Sequence, residues 1–299
     1  VHVRTRALLS VLLALGVALT GSTSAGAGSN ATVTPTRIIK TLNEQRKANG
    51  IPGGIKVNAS WSQKCKKHDL YMDRNRELTH YEEKGKPGYT EGGAWAGKHS
   101  VISFGSTWAD GNVFEEAPIH LAQLLQPKFD VSGAWELPGT NGRWGCVITL
   151  AGYKRAEPPT DRVYSYPGDR TTGVATDYDA SEGPFTPNQI VGAPAHCGQE
   201  LFVFASGPSL KNGNPYLYKI THATLAPEGG GHVKIKIVDG ETKIPDKYGG
   251  GEIGYYLGPG AGIIIPMNPL EKSTVYEASV TIEGGETTFD YSWSFTTES

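Results

Sequence analysis

The feature that most constrains this chain is the two-residue alternation of its second half. Val233, Ile235 and Ile237 alternate with Lys234 and Lys236. Tyr276, Ala278, Val280 and Ile282 alternate with Glu277, Ser279 and Thr281, and Phe289, Tyr291, Trp293 and Phe295 with Asp290, Ser292 and Ser294. Successive side chains of a strand point to opposite faces, so each run gives one face to a core and the other to water. Gly- and Pro-rich turns separate the runs, which predicts an all-β sandwich over residues 160–299.

Before Ala156-Glu157-Pro158-Pro159-Thr160 the pattern differs. Two adjacent prolines cannot continue a helix and stiffen a linker, so a domain boundary is expected there. Upstream, a helix is expected over 35–49, with Thr34 as cap, Pro35 in the first turn and Gly50 as stop. A second is expected over 60–76, where Trp61, Cys65, His68 and Met72 form one stripe and place His68 on a core face. A third is expected around Ala94–Ile102, a fourth from Pro118 to before Pro127, and a closing strand over 143–150. The fold class is α+β.

The first residues read as a secretory leader: Arg4 and Arg6, an apolar run over 7–19, and small residues Ala25-Gly26-Ala27 at a cleavage point. The run is too short for a membrane span, which needs about 20 residues, and no later segment qualifies. The expected organisation is a signal peptide over 1–27, a mixed domain over 28–156 and the β-domain over 160–299. The whole chain carries 28 basic and 30 acidic residues, a net charge of −2. That balance excludes a general nucleic-acid binder. Lys64, Lys66 and Lys67 read as a solvated helix face, and Asp169, Asp177, Asp179 and Glu182 as a solvated acidic loop, with a calcium site as the alternative. Three cysteines in an exported chain imply one disulfide and one odd thiol, with three pairings open.

Two imidazoles and a carboxylate stand out upstream. Glu91 follows His80 by 11 residues and His120 follows Glu91 by 29. Such groups hold a divalent metal or move a proton. Their segments are Leu78-Thr79-His80-Tyr81-Glu82, Glu91-Gly92-Gly93 and Ala117-Pro118-Ile119-His120, and the opening helix carries Leu42-Asn43-Glu44-Gln45-Arg46. Together they resemble the CAP superfamily (cysteine-rich secretory, antigen 5 and pathogenesis-related proteins) over roughly residues 36–152. The ending 268–297 loosely resembles bacterial Ig-like modules.

The first resemblance implies an N-terminal CAP-type α-β-α sandwich with a cleft of two His and two Glu. His80, Glu91 and His120 match, and Glu116 or Glu115 is the nearest counterpart of the second Glu. It also favours a Cys65–Cys146 disulfide, both cysteines lying in the CAP-like part. Neutral imidazole and carboxylate suit Zn²⁺ or Mg²⁺; the metal-free reading has the same groups hold each other by charge-assisted hydrogen bonds. Tyr81, Trp95, Phe104, Trp108 and Phe114 fill the core, or some of them line an apolar groove. The function implied is secreted binding of a lipid-like or cell-envelope ligand. A metal-dependent extracellular hydrolase and an adhesive protein acting through the β-domain are the alternatives. No Gly-x-Ser-x-Gly elbow or phosphate loop competes.

Overall fold

A computed structural model describes residues 33–140 and 142–299, so the leader reading over 1–27 lies outside the described residues. The upstream half runs α1 (Pro35–Ala48), β1 (Lys56–Val57), α2 (Ala59–Asn75), α3 (Glu91–Lys98), β2 (Ser100–Phe104), α4 (Pro118–Leu125), β3 (Val131–Ser132), β4 (Ala134–Pro138) and β5 (Arg143–Ile148). Strands β2, β5 and β4 form an antiparallel sheet in that order, and β1 pairs with β3 in parallel. Alternation along this sheet explains its two cores. Val101, Ala134 and Val147 pack with Ile38, Ile39 and Leu42 of α1 and Leu124 of α4. Ile102, Cys146 and Ile148 pack with Cys65 and Met72 of α2 and Ala96 of α3. Helices therefore cover both faces. Cys65 and Cys146 are disulfide-bonded, joining α2 to β5, and Cys197 is free and buried.

Local chemistry sets the helix ends. Thr34 accepts from Arg37 N, and Asn58 from Trp61 N. The third helix differs from the expected Ala94–Ile102. Thr90 accepts a hydrogen bond from Gly93 N, so α3 begins at Glu91, and residues 100–104 join the sheet as β2. The β-branched pair Val101-Ile102 has partners on both faces there, which outweighs continuation of a helix.

The downstream half runs β6 (Arg162–Tyr166), β7 (Thr171–Val174), β8 (Asp177–Asp179), α5 (Pro187–Val191), β9 (His196–Gly198), β10 (Leu201–Ser206), β11 (Lys219–Pro227), β12 (Ile235–Val238), α6 (Gly254–Leu257), β13 (Ala261–Pro266), β14 (Val275–Gly284) and β15 (Thr287–Thr297). One four-stranded sheet has the order β12-β13-β10-β6 and the other β11-β14-β15-β7; β8 and β9 form a separate antiparallel pair. The alternating strands β14 and β15 belong to the second sheet. Their inner residues, among them Tyr276, Val280, Phe289 and Trp293, pack on Leu201, Val203 and Ile264 of the first.

The first sheet is covered on its other face as well. Phe202, Phe204, Ile263 and Ile265 share a core with Leu121, Ala122 and Leu125 of α4 and Leu257 of α6. The Pro158-Pro159 segment is likewise tied to both sides: Glu157 pairs with Lys128 at 2.6 Å and accepts from Ser206 Oγ at 3.0 Å. All the described residues belong to one compact unit. None of their helices is long and apolar enough to cross a membrane.

Candidate functional site

The loop after α2 carries the first histidine. Arg76 ends α2 in a left-handed conformation. The loop is then fastened to the helix it has left: Tyr71 Oη accepts from Glu83 N at 3.0 Å, and Asn75 Nδ2 donates to Pro87 O at 2.9 Å. Its central anchor is a pair with fully buried side chains, His68 and Glu82, with Nδ1 and Oε1 3.0 Å apart. His68 Nε2 donates to Thr79 O at 2.9 Å, and Glu82 Oε2 accepts from Thr90 N at 2.9 Å. His68 is thus a packed, hydrogen-bonded core residue, matching its place on the sequence stripe.

Two glycines of α3 make room for this arrangement. A Cβ at Gly93 would lie 2.2 Å from Glu82 Oε1, and one at Gly97 would lie 2.5 Å from both His68 Cε1 and His80 O. With Gly97 in place, its carbonyl accepts from His80 Nδ1 at 2.7 Å. That bond makes Nδ1 the protonated nitrogen and leaves Nε2 as an acceptor. Burial lowers the His80 pKa, outweighing the opposing pull of the Gly97 bond, and His120 and His68 lower it further. The ring is neutral near pH 7.

The second histidine sits in the first turn of α4. Ala117 supplies no side-chain cap. Glu182, from the downstream half, does that work instead. Its carboxylate accepts from Ile119 N at 2.8 Å, His120 N at 3.3 Å and His120 Nδ1 at 2.7 Å. A carboxylate at a helix start satisfies orphan N–H groups and complements the helix dipole. The Glu182 side chain is 2% exposed. The acidic loop expected in solvent is therefore buried at Glu182, because α4 and His120 offer it three donors; Asp177 and Asp179 do remain exposed. Nothing in the sequence spacing marks Glu182, which lies 62 residues from its partner.

The two rings meet. His80 and His120 stack with centroids 6.4 Å apart and an interplanar angle of 11°, and Phe114 stacks on His120 at 5.4 Å. They line a hollow of about 680 Å³ with Glu116, Leu78, Tyr81 and Phe104. Those last three are exposed by 53%, 67% and 45%, an apolar rim above a polar floor. Of the five aromatics considered in the sequence, Trp108 and Phe114 are buried in the core and Tyr81 and Phe104 stand at the rim.

Glu91 is not among the lining residues; it is exposed at the first position of α3. Glu115 accepts from Gln45 Nε2 and from Tyr166 Oη at 2.8 Å and faces other hollows. Burial raises its pKa.

A divalent metal needs several ligand atoms gathered around one centre. No three of His80, Glu91, His120 and Glu116 bring ligand atoms within 4.8 Å of one another. Glu182 is already engaged by three donors. This set does not fit Zn²⁺ or Mg²⁺, which require ligands at about 2.0–2.2 Å from one centre. The arrangement can instead present two imidazole edges, neither Nε2 having a hydrogen-bond partner among the described residues, beside a carboxylate and an apolar rim.

Comparison with protein-family models and with curated proteins gives no match.

Proposed function

We propose that this chain is a secreted binding protein that holds an amphipathic, lipid-like or cell-envelope ligand in the His80–His120 hollow without a metal. In this reading the upstream half is a CAP-type sandwich and the downstream half an Ig-like one. The observation that carries it is the apolar rim. Large exposed apolar side chains gathered at one polar-floored hollow mark a ligand site, whereas scattered ones mean little. Leu78, Tyr81 and Phe104 would cover the apolar body of the ligand. The His80 Nε2 acceptor, the free Nε2 edge of His120 and Glu116 would receive a hydroxyl- or amine-bearing head. A disulfide between Cys65 and Cys146 is compatible with an oxidising compartment.

The test uses purified chain incubated with a bacterial envelope lipid extract, re-isolated and analysed by native mass spectrometry. Wild type is expected to carry a lipid. Tyr81→Asp and Phe104→Asp should remove it; the melting temperature should hold for Tyr81→Asp, whose side chain is exposed, and fall for Phe104→Asp, which gives up its packing on Trp144. Acidification should weaken retention, because a protonated His80 exchanges its acceptor for a donor. A lipid-free wild type, or retention by both variants, ends this reading.

A further inference from the structure

A second group of ligating side chains lies outside the histidine hollow, on the β8–β9 pair. Asp179 faces His196 directly in the antiparallel register, and Asp177 lies two residues along on the same side. Tyr178 and Cys197, between them, point to the buried side. The alternation of a strand thus puts two carboxylates and one imidazole on a single face. His196 Nδ1 is 2.9 Å from Asp179 Oδ1 and 4.0 Å from Asp177 Oδ2, and one ligand atom of each residue lies within 4.8 Å of the others. Ligands on one tetrahedral centre at about 2.0–2.2 Å stand about 3.3–3.6 Å apart. The distances here bracket that value, so small side-chain rotations suffice.

The surroundings point the same way. Asp177 and Asp179 line a hollow of about 440 Å³ together with Glu115 and Glu116, and no Lys or Arg lines it. The hollow thus gives Asp177 and Asp179 an acidic setting; His196 stands outside its lining, and Glu115 is already held by Gln45 and Tyr166.

We propose that Asp177, Asp179 and His196 bind a divalent transition-metal ion of the Zn²⁺ class. Imidazole selects such an ion over Ca²⁺ and Mg²⁺, which take oxygen ligands. Three protein ligands leave a coordination position open. Binding requires a deprotonated Nδ1, so the site loses affinity on acidification.

The test is calorimetric titration of the full chain, stripped with chelator, with ZnCl₂, CaCl₂ and MgCl₂ near pH 7.5. One Zn²⁺ per chain is expected, with no saturable Ca²⁺ or Mg²⁺ binding at the same concentrations. His196→Ala and Asp179→Asn should each weaken Zn²⁺ binding by at least about tenfold, and both positions are exposed enough to change without unfolding the chain, which a melting curve checks. Histidine elsewhere serves as control: His222→Ala should bind like wild type. Four results overturn the assignment: no saturable Zn²⁺ binding, unaltered binding by His196→Ala, equal affinity for Ca²⁺, or loss of binding in His80→Ala/His120→Ala with retention in His196→Ala.

Discussion

Glu200 offers the sharpest quantitative test of the core. Its side chain is fully buried, one carboxylate oxygen has no partner, and the other accepts a weak bond from Cys197 Sγ at 3.9 Å. Burial is the main reason its pKa is pushed up from 4.5 to about 8, with the Glu182 charge adding to the shift and the nearby Asn188 amide and Cys197 thiol opposing it. The sign follows from proton counting. Between these two pH values the folded chain keeps a proton that the unfolded chain has released, so stability falls as pH rises through that window. Each pH unit is worth about 1.4 kcal/mol, and the full span therefore costs about 5 kcal/mol. That is a large share of a typical total of about 5–15 kcal/mol. Glu200→Gln keeps the shape and removes the ionisation. Urea unfolding of both proteins with the disulfide intact, at about pH 5 and about pH 8.5, measures the double difference, in which other titrating groups cancel. The variant should gain about 4 kcal/mol on wild type between the two conditions. A gap that stays constant or narrows with rising pH refutes the buried-acid argument.

Other expectations are simpler to check. Burial, reinforced by Glu200, pushes the Cys197 thiol up to about 12, so a thiol reagent at about pH 8 should modify it only at the rate of unfolding. Gly97→Ala places a methyl against His68 and the His80 carbonyl; a loss of about 1–3 kcal/mol by denaturant titration is expected, together with loss of the His80–Gly97 bond. Glu182→Ala strips α4 and His120 of three hydrogen bonds and should cost about 1–3 kcal/mol, measured the same way. Cys65→Ser/Cys146→Ser opens a cross-link spanning 81 residues and should cost about 2–5 kcal/mol.

The parts of the fold legible in the sequence are those whose pattern has one meaning. Strands β14 and β15 alternate because each has one face on the core. Helix α1 announces itself through Thr34 and Pro35, and α2 through an apolar stripe. Strands β10 and β13 do not alternate: every residue of Leu201–Ser206 and Ala261–Pro266 is buried, since their sheet is covered on both faces. Periodicity cannot separate such a run from a buried helix segment. For the site, His80 and His120 were legible as chemistry and they do approach one another. Glu91 stands outside that hollow, since a carboxylate beside Gly-Gly also suits an exposed helix start. Glu182 was invisible, because a contact 62 residues distant leaves no local trace. The Asp177–Asp179–His196 group was hidden likewise, since only the β8–β9 register brings position 196 beside 179.

The carboxylate that orients His120 belongs to the other half of the molecule, and this governs what can be transplanted. A fragment ending before Pro158 would keep both imidazoles and lose the group that stops one of them from spinning. It would also lay bare Leu121 and Leu125, whose neighbours Phe202 and Phe204 would be gone. The histidine hollow is therefore no portable cassette: recombination or protein engineering that hopes to move it must carry the whole tandem, and natural variation in residues 181–184 should retune it from a distance.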